Sequence, residues 1–270
     1  MTKDSIKLTK EQIALIDAVK NGDNVLCDAC WGSGKTTTLI KLNEVVSSSN
    51  KNVLYLTYNR ELKEEARKKF NSSKNNIHNY DAFASMILRK NNIPTSFHDS
   101  DIIVESDKIN LIPSYDILLI DEYQDINRNH SLIIQQLLYK NPDLQIIAVG
   151  DRDQKISNKS SINALEFFKS LFKQSNRNLK ELALTNSFRL NSTIAKFLSN
   201  VYNKKVVGKN DDLEIEFIEN NYDIAEILSE YEPNQILILG GNYGDAKRLQ
   251  NILETTYPEK FNKDTICNTF

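Results

Sequence analysis

The chain has 270 residues, 40% apolar and 26% charged, with a formal net charge of −2. That length buries a core without disulfide or metal staples, and the composition is that of a soluble globular protein, not a disordered or membrane one. Three cysteines exclude a disulfide scaffold and favour a reducing cytosol, while the near-neutral charge excludes a polybasic binder and leaves room for a local basic groove.

No uninterrupted apolar stretch approaches the roughly 20 residues of a membrane helix. Met1-Thr2-Lys3-Asp4-Ser5 lacks the apolar core of a secretory signal, so none is expected. The abundance of asparagine reads as coding bias. Glycine is scarce, with eight in the chain, so its positions mark backbone requirements. Gly32 and Gly34 share one short loop, and Gly150 ends an apolar run.

In chain order, 24–28 reads as a strand leading through a loop to a helix that begins near Gly34-Lys35. A second strand is expected over 53–57, followed by a charged helix over 60–70. The apolar run 116–120 predicts a buried strand, with a helix around 131–139 after it. Residues 144–149 form another strand ending at Gly150. Short β-prone runs alternating with helical patterns predict an α/β fold, a parallel sheet covered by helices on both faces. The second half continues with strands at 182–184, 213–218 and 235–239 and helices at 192–202, 222–231 and 244–255. Segments 94–115 and 204–212 read as irregular. A domain boundary near residue 180 divides the chain into 1–180 and 181–270.

Ala29-Cys30-Trp31-Gly32-Ser33-Gly34-Lys35-Thr36 is a P-loop pattern with Ala29 where glycine is usual. Its glycines let successive backbone N–H groups surround phosphate oxygens at the positive end of a helix. Lys35 is expected to reach the β- and γ-phosphates, and the Thr36 hydroxyl to ligate Mg²⁺, with Thr37 beside it. A chance Gly-Lys-Thr turn is the alternative, which the strand before and the helix after disfavour. Asp121-Glu122 follows the 116–120 strand, 86 residues after Lys35. Strand ends facing a P-loop present the chemistry of nucleotide folds. Asp121 is expected to hold Mg²⁺ and Glu122 to deprotonate an attacking water.

Asp121-Glu122-Tyr123-Gln124-Asp125 resembles motif II of superfamily 1 helicases of the UvrD/Rep type. Other segments resemble that family in the same order. Leu8-Thr9-Lys10-Glu11-Gln12 resembles the Q motif, which implies that Gln12 reads the adenine edge. Leu56-Thr57-Tyr58-Asn59-Arg60 resembles motif Ia, and Ile77-His78-Asn79-Tyr80 motif Ib; both imply contacts to single-stranded DNA. Val149-Gly150-Asp151-Arg152-Asp153-Gln154 resembles motif III, with Gln154 sensing the γ-phosphate. Asn186-Ser187-Phe188-Arg189 resembles motif IV, with Arg189 on the γ-phosphate and Phe188 beside adenine. A guanidinium suits charge that develops on a phosphate, and a phenyl ring offers a flat face for stacking.

The resemblance implies two RecA-like domains around ATP and Mg²⁺, the second incomplete here, stepping 3′ to 5′ along single-stranded DNA. RNA is the alternative strand, and a nuclease or repair protein the implied partner class. It also implies a cytoplasmic protein, associated with the nucleoid in a bacterium. Two departures stand out. Lys155-Ile156-Ser157-Asn158 after motif III lacks the family's base-stacking aromatic, for which Tyr58 or Tyr80 would substitute. The spacings also leave no room for the accessory subdomains 1B and 2B. Residues 265–270 resemble at most a strand leading into motif V, so motifs V and VI with a second arginine finger fall outside the chain. Such a finger is worth on the order of 10³–10⁵ in rate, so weak hydrolysis and no unwinding by these residues alone are expected.

A nucleotide-gated regulatory subunit of a nuclease or defence complex is the competing reading. A GTPase is disfavoured because no Asn-Lys-x-Asp motif occurs. Cys27-Asp28-Ala29-Cys30 has no second cysteine pair and does not read as a redox or zinc site. The basic residues between Arg60 and Lys69 read as solvated surface, with a DNA-backbone role as the alternative.

Overall fold

The computed structural model describes residues 7–48, 50–58, 60–69, 76–96, 101, 109–155, 162–209, 216–238 and 243–262. Six parallel strands form one sheet: β1 (Asn24–Ala29), β2 (Val53–Thr57), β3 (Asn76–Asn79), β4 (Ile117–Asp121), β5 (Gln145–Gly150) and β6 (Leu179–Leu184). Their spatial order is β3-β2-β4-β5-β1-β6, every neighbouring pair parallel. The expected α/β class with helices on both faces is what forms.

Side-chain alternation along the strands divides the core in two. Leu54, Leu56, Leu118, Ile120, Ile146 and Ala148 face one layer, which contains α4 (Tyr80–Lys90), α5 (Arg128–Lys140) and α6 (Ala164–Gln174). Val53, Tyr55, Ile117, Leu119, Ile147 and Val149 face the other. That layer contains α1 (Lys10–Lys20), α2 (Lys35–Ser47) and Ala66 of α3 (Arg60–Lys69). A strand buried on both faces favours apolar residues on both, which is why 117–120 of β4 and 146–149 of β5 read as continuous hydrophobic runs, with the buried polar Asp121 and Gln145 confined to strand ends. No helix among the described residues is long and apolar enough to cross a membrane.

After β6 come β7 (Asn186–Asn191), α7 (Ser192–Tyr202) and β8 (Val207–Lys209), with β7 and β8 paired in a separate parallel ribbon. The boundary expected near residue 180 lies later. β6 is hydrogen-bonded along its length to β1, so it belongs to the first sheet, and the chain divides into compact units at Leu213/Glu214.

The second unit contains α8 (Asn221–Ser229) and α9 (Tyr243–Thr256), which pack Ala225, Leu253 and Phe261 into a small core. Two expected strands do not form where the residues are described. Residues 216–218 and 236–238 are irregular, with Phe217 and Leu237 well exposed. An apolar run with no strand beside it leaves its backbone ladder unpaired, so sequence pattern alone cannot make it a strand. Positions 213–215, 239 and 265–270 lie outside the described residues.

Candidate nucleotide-binding site

The strand order places four sequence-distant segments side by side. β4, β5, β1 and β6 are consecutive neighbours, and each carries a motif just beyond its carboxyl end. Parallel strands present those ends together, so Glu122, Gln154, the P-loop and Phe188-Arg189 converge. A cavity of about 320 Å³ is lined by Gly32, Ser33, Gly34, Lys35, Thr36, Thr37, Glu122, Gln154 and Arg189.

The loop owes its shape to two glycines in the left-handed region, Gly32 at φ +68° and Gly34 at φ +79°. Both also sit under tight cover. A Cβ on Gly32 would lie 2.5 Å from Arg189 Cβ, and one on Gly34 would lie 3.0 Å from Gln12 Nε2 and 3.6 Å from the Phe188 ring. The Phe188 N–H donates to the Gly32 carbonyl at 2.9 Å, which fastens the β7 segment to the loop. Ala29 is compatible with the loop because it is still strand, buried and paired opposite Leu184. It does not line the cavity.

Gln12 is the third residue of a capping box. Its Oε1 accepts from the Thr9 N–H at 2.9 Å, and its Nε2 donates to Thr38 Oγ1 at 2.9 Å. Buried to 2% exposure, the amide ties α1 to the P-loop and α2. Beside it, the Glu11 carboxylate accepts from Thr185 N–H at 2.7 Å, Thr185 Oγ1 at 2.6 Å and Asn186 Nδ2 at 2.9 Å. Glu11 therefore grips the chain just ahead of Phe188 and Arg189.

Lys35 Nζ lies 3.9 Å from Glu122 Oε2. Glu122 has left-handed backbone (φ 52°), uncommon for a non-glycine residue and a recurrent feature of functional sites. Gln124 Nε2 donates to Glu122 Oε2 at 2.8 Å while its Oε1 accepts from the Asp151 N–H at 2.9 Å. One amide thus links the carboxylate after β4 to the turn after β5 that carries Gln154. Asp121 does not line the cavity. Its Oδ2 accepts from Tyr55 OH at 2.6 Å and its Oδ1 from the Glu122 N–H at 3.0 Å. Burial and the neighbouring Glu122 push its carboxyl up to about 6. The Asp121 carboxylate and the Thr36 hydroxyl are hard oxygens of the kind that fits Mg²⁺ bound with phosphate.

The residues matched to the DNA-side motifs behave differently from one another. Tyr58 is half-buried and Arg60 exposed, whereas Asn59 lies outside the described residues. Thr57 and Tyr80 require correction as strand contacts, since both are buried, at 0% and 1% exposure. Thr57 faces inward at the end of a strand, and the Tyr80 ring stacks on His130 at 4.0 Å inside the α4–α5 layer. Tyr58 approaches the edge of that His130 at 6.2 Å, so it is the aromatic with an accessible face. Burial, with Arg67 and Lys63 beside it, pushes His78 down to about 4, which leaves it uncharged at neutral pH. On α3, Glu64 ion-pairs with Lys63 at 3.6 Å and Arg67 at 3.3 Å, which tempers the basic face.

Cys27 and Cys30 are buried, and burial pushes their thiols up to about 12 and about 11, so neither offers a thiolate. No group of three metal-ligating side chains exists among the described residues. Three contributors to the site were not singled out from sequence: Glu11 as a fastening, Gln124 as a bridge, and Lys204, on which Asp28, Asp151 and Asp153 converge. Gln124 lies inside motif II and was findable; Lys204 has no local signal.

A family model described as an AAA domain matches residues 11–160. Among curated proteins, F-box DNA helicase protein 1 of Schizosaccharomyces pombe is 28% identical over 127 residues, 47% of this chain and 13% of that protein. ATP-dependent DNA helicase Rep of Buchnera aphidicola is 28% identical over 152 residues, 47% of this chain and 22% of that protein. The chain thus spans less than a quarter of the length of these two relatives. A solved structure of two coordinating Pif1 helicases unwinding forked dsDNA superposes with a TM-score of 0.51 at 17% identity, covering 91% of this chain and 57% of that one. At that identity the superposition speaks for the shared fold.

Proposed function

Because this chain belongs to the AAA domain family, we propose that it is the ATP-binding front part of a superfamily 1 DNA helicase motor. The observation that carries this reading is the single cavity that gathers Lys35, Glu122, Gln154 and Arg189 from four neighbouring strand ends. The P-loop amides and Lys35 bind the phosphates; Thr36 and Asp121 would hold Mg²⁺, which would supply neutralisation of the phosphate charge. Glu122 accepts the proton of the attacking water. Arg189 stabilises charge on the γ-phosphate, and Gln154 reports its presence. Phe188 provides an exposed ring beside the loop for adenine, and Gln12, already fastened to the P-loop, borders that position.

The substrate strand is single-stranded DNA, tracked 3′ to 5′, with Tyr58 and Arg60 at its path. Support for that side comes from the exposed Arg60, the half-buried Tyr58 and the helicase relatives. The test is titration calorimetry with a non-hydrolysable ATP analogue, with and without Mg²⁺. Micromolar, Mg²⁺-dependent binding that changes affinity for a fluorescent single strand is expected. Absence of nucleotide binding, or equal preference for GTP, refutes the reading.

A further inference from the structure

Lys204 is an unusual lysine. It follows the left-handed Asn203 that caps α7, and its side chain is only 7% exposed. Its ammonium contacts three carboxylates: Asp151 at 2.6 Å, Asp28 at 3.0 Å and Asp153 at 3.3 Å. The ring of Trp31, within the P-loop, lies 5.8 Å from Nζ, and that ring packs against Tyr202 at 5.0 Å. Burial works to lower the amine, but the hydrogen bonds it donates to Asp151 and Asp28 outweigh it and raise it, so the charge is retained.

Each partner belongs to a different part of the site. Asp28 is the penultimate residue of β1, immediately before the P-loop. Asp151 caps the 152–154 turn that carries Gln154 and Asp153 lies within it, and the Asp151 N–H is the group that Gln124 bridges to Glu122. Lys204 itself lies in the β7–α7–β8 segment, which also bears Phe188 and Arg189 and packs Ala195 and Val206 against Cys30. One buried cation is therefore bonded at once to the phosphate loop, to the sensor turn and, through its backbone, to the segment of the arginine.

We propose that Lys204 is a positioning residue for the γ-phosphate end of the nucleotide site. By locking Asp28, Asp151 and Asp153 together, it holds Gln154 and Arg189 in register with the P-loop. The proposal rests on the reading of the cavity as an ATP site. It separates two parts of nucleotide binding: the P-loop amides and Lys35 grip a diphosphate without help from Lys204, whereas recognition of the third phosphate depends on it.

The experiment compares wild type with Lys204→Met, Lys204→Arg and the charge-balanced double variant Lys204→Met/Asp151→Asn. The double variant guards against unfolding caused by an unpaired buried carboxylate. Affinities for ATPγS and ADP are measured with Mg²⁺. Loss of a charged hydrogen-bonded anchor predicts a roughly tenfold fall in ATPγS affinity, with ADP affinity within about twofold and partial rescue by arginine. Equal losses for both nucleotides, or no loss in either, overturn the proposal. Trp31 is the only tryptophan in the chain and supplies a second readout without nucleotide. Removal of the clamp is expected to red-shift its emission and raise its quenching by acrylamide; an unchanged spectrum in both methionine variants also overturns the proposal. If wild type binds neither nucleotide, the ATP-site reading falls and the Trp31 comparison alone decides whether the clamp exists.

Discussion

Replacing Glu11 by glutamine should loosen the nucleotide site without touching it. The carboxylate accepts three hydrogen bonds, from Thr185 N–H, Thr185 Oγ1 and Asn186 Nδ2. Glutamine keeps one acceptor oxygen for the Thr185 N–H and Asn186 Nδ2, which share Oε2, and turns its amide N–H toward Thr185 Oγ1, a hydroxyl that can accept. Hydrogen bonds to charged groups contribute about 1.5–3 kcal/mol each, and the partial exposure of Glu11 argues for the lower end. All three bonds change from charge-assisted to neutral, so the expected cost is about 2 kcal/mol, or about 4–8 °C in Tm for a unit of this size. Burial acts to raise the Glu11 carboxyl, but the bonds from Thr185 and Asn186 outweigh it and hold it below its ordinary 4.5. A depressed carboxylate contributes its stability in full above the unfolded value and loses it as pH falls through the folded one. The difference between wild type and Glu11→Gln should therefore be complete at pH 7 and shrink below about pH 4.5. Urea unfolding followed by Trp31 fluorescence measures it, since Trp31 lies in the unit that contains Glu11. A difference under about 0.5 kcal/mol at pH 7, where such surface changes usually fall, would refute the reasoning. So would a difference that stays constant down to pH 4.

Lys35→Ala should weaken binding of an ATP analogue by roughly 30- to 100-fold, the equivalent of about 2–3 kcal/mol for a charged hydrogen bond to phosphate, as read by calorimetry. Asp121→Asn should separate stability from binding. Its carboxyl is raised to about 6, so the wild-type fold is favoured below the ordinary carboxylate value and loses that contribution as pH rises through 6. The asparagine variant should melt at or above the wild-type temperature at pH 7.5, lose that advantage at pH 4, and bind nucleotide without Mg²⁺ dependence. Gly32→Ala should lower both folding yield and nucleotide affinity, because the added methyl meets Arg189 Cβ at 2.5 Å; wild-type affinity in a purified variant would count against the tight cover. Tyr80→Phe should leave single-strand affinity unchanged and stability within about 1 kcal/mol, since its buried hydroxyl makes no hydrogen bond among the described residues. Tyr58→Ala should weaken strand binding in the same fluorescence titration, and equal effects at the two positions would contradict the burial difference.

The legible parts of the molecule are those encoded over a few adjacent residues. Gly32-Ser33-Gly34-Lys35 specifies its own backbone, and runs such as 117–120 and 146–149 are apolar at every position because both sheet faces are covered. Tyr80 misled because a motif position does not state which way a side chain turns. As the first residue of α4 it points into the layer of His130 instead of toward solvent. The apolar 235–238 run resembles β5 in composition, yet only β5 has strands on both sides. Glu11 and Lys204 were invisible for another reason. Their partners lie 174 and 176 residues away for Thr185 and Asp28, and an isolated Glu or Lys carries no mark of such a contact.

The central place of β1 has a consequence for how the chain comes into being. β1 is made early, yet it lies between β5 and β6, which are made last of the six. Val25 pairs with Ile147 and Ala29 with Leu184. During synthesis from the N-terminus, an apolar strand and its glycine loop must wait on the ribosome for both neighbours. The Cys30 N–H that opens the P-loop donates to the Leu184 carbonyl at 2.8 Å, so this fastening of the loop forms only after Leu184 has emerged. Non-local parallel pairing of this kind is slow, and the exposed edges of 24–29 are where a folding chaperone would have most to protect.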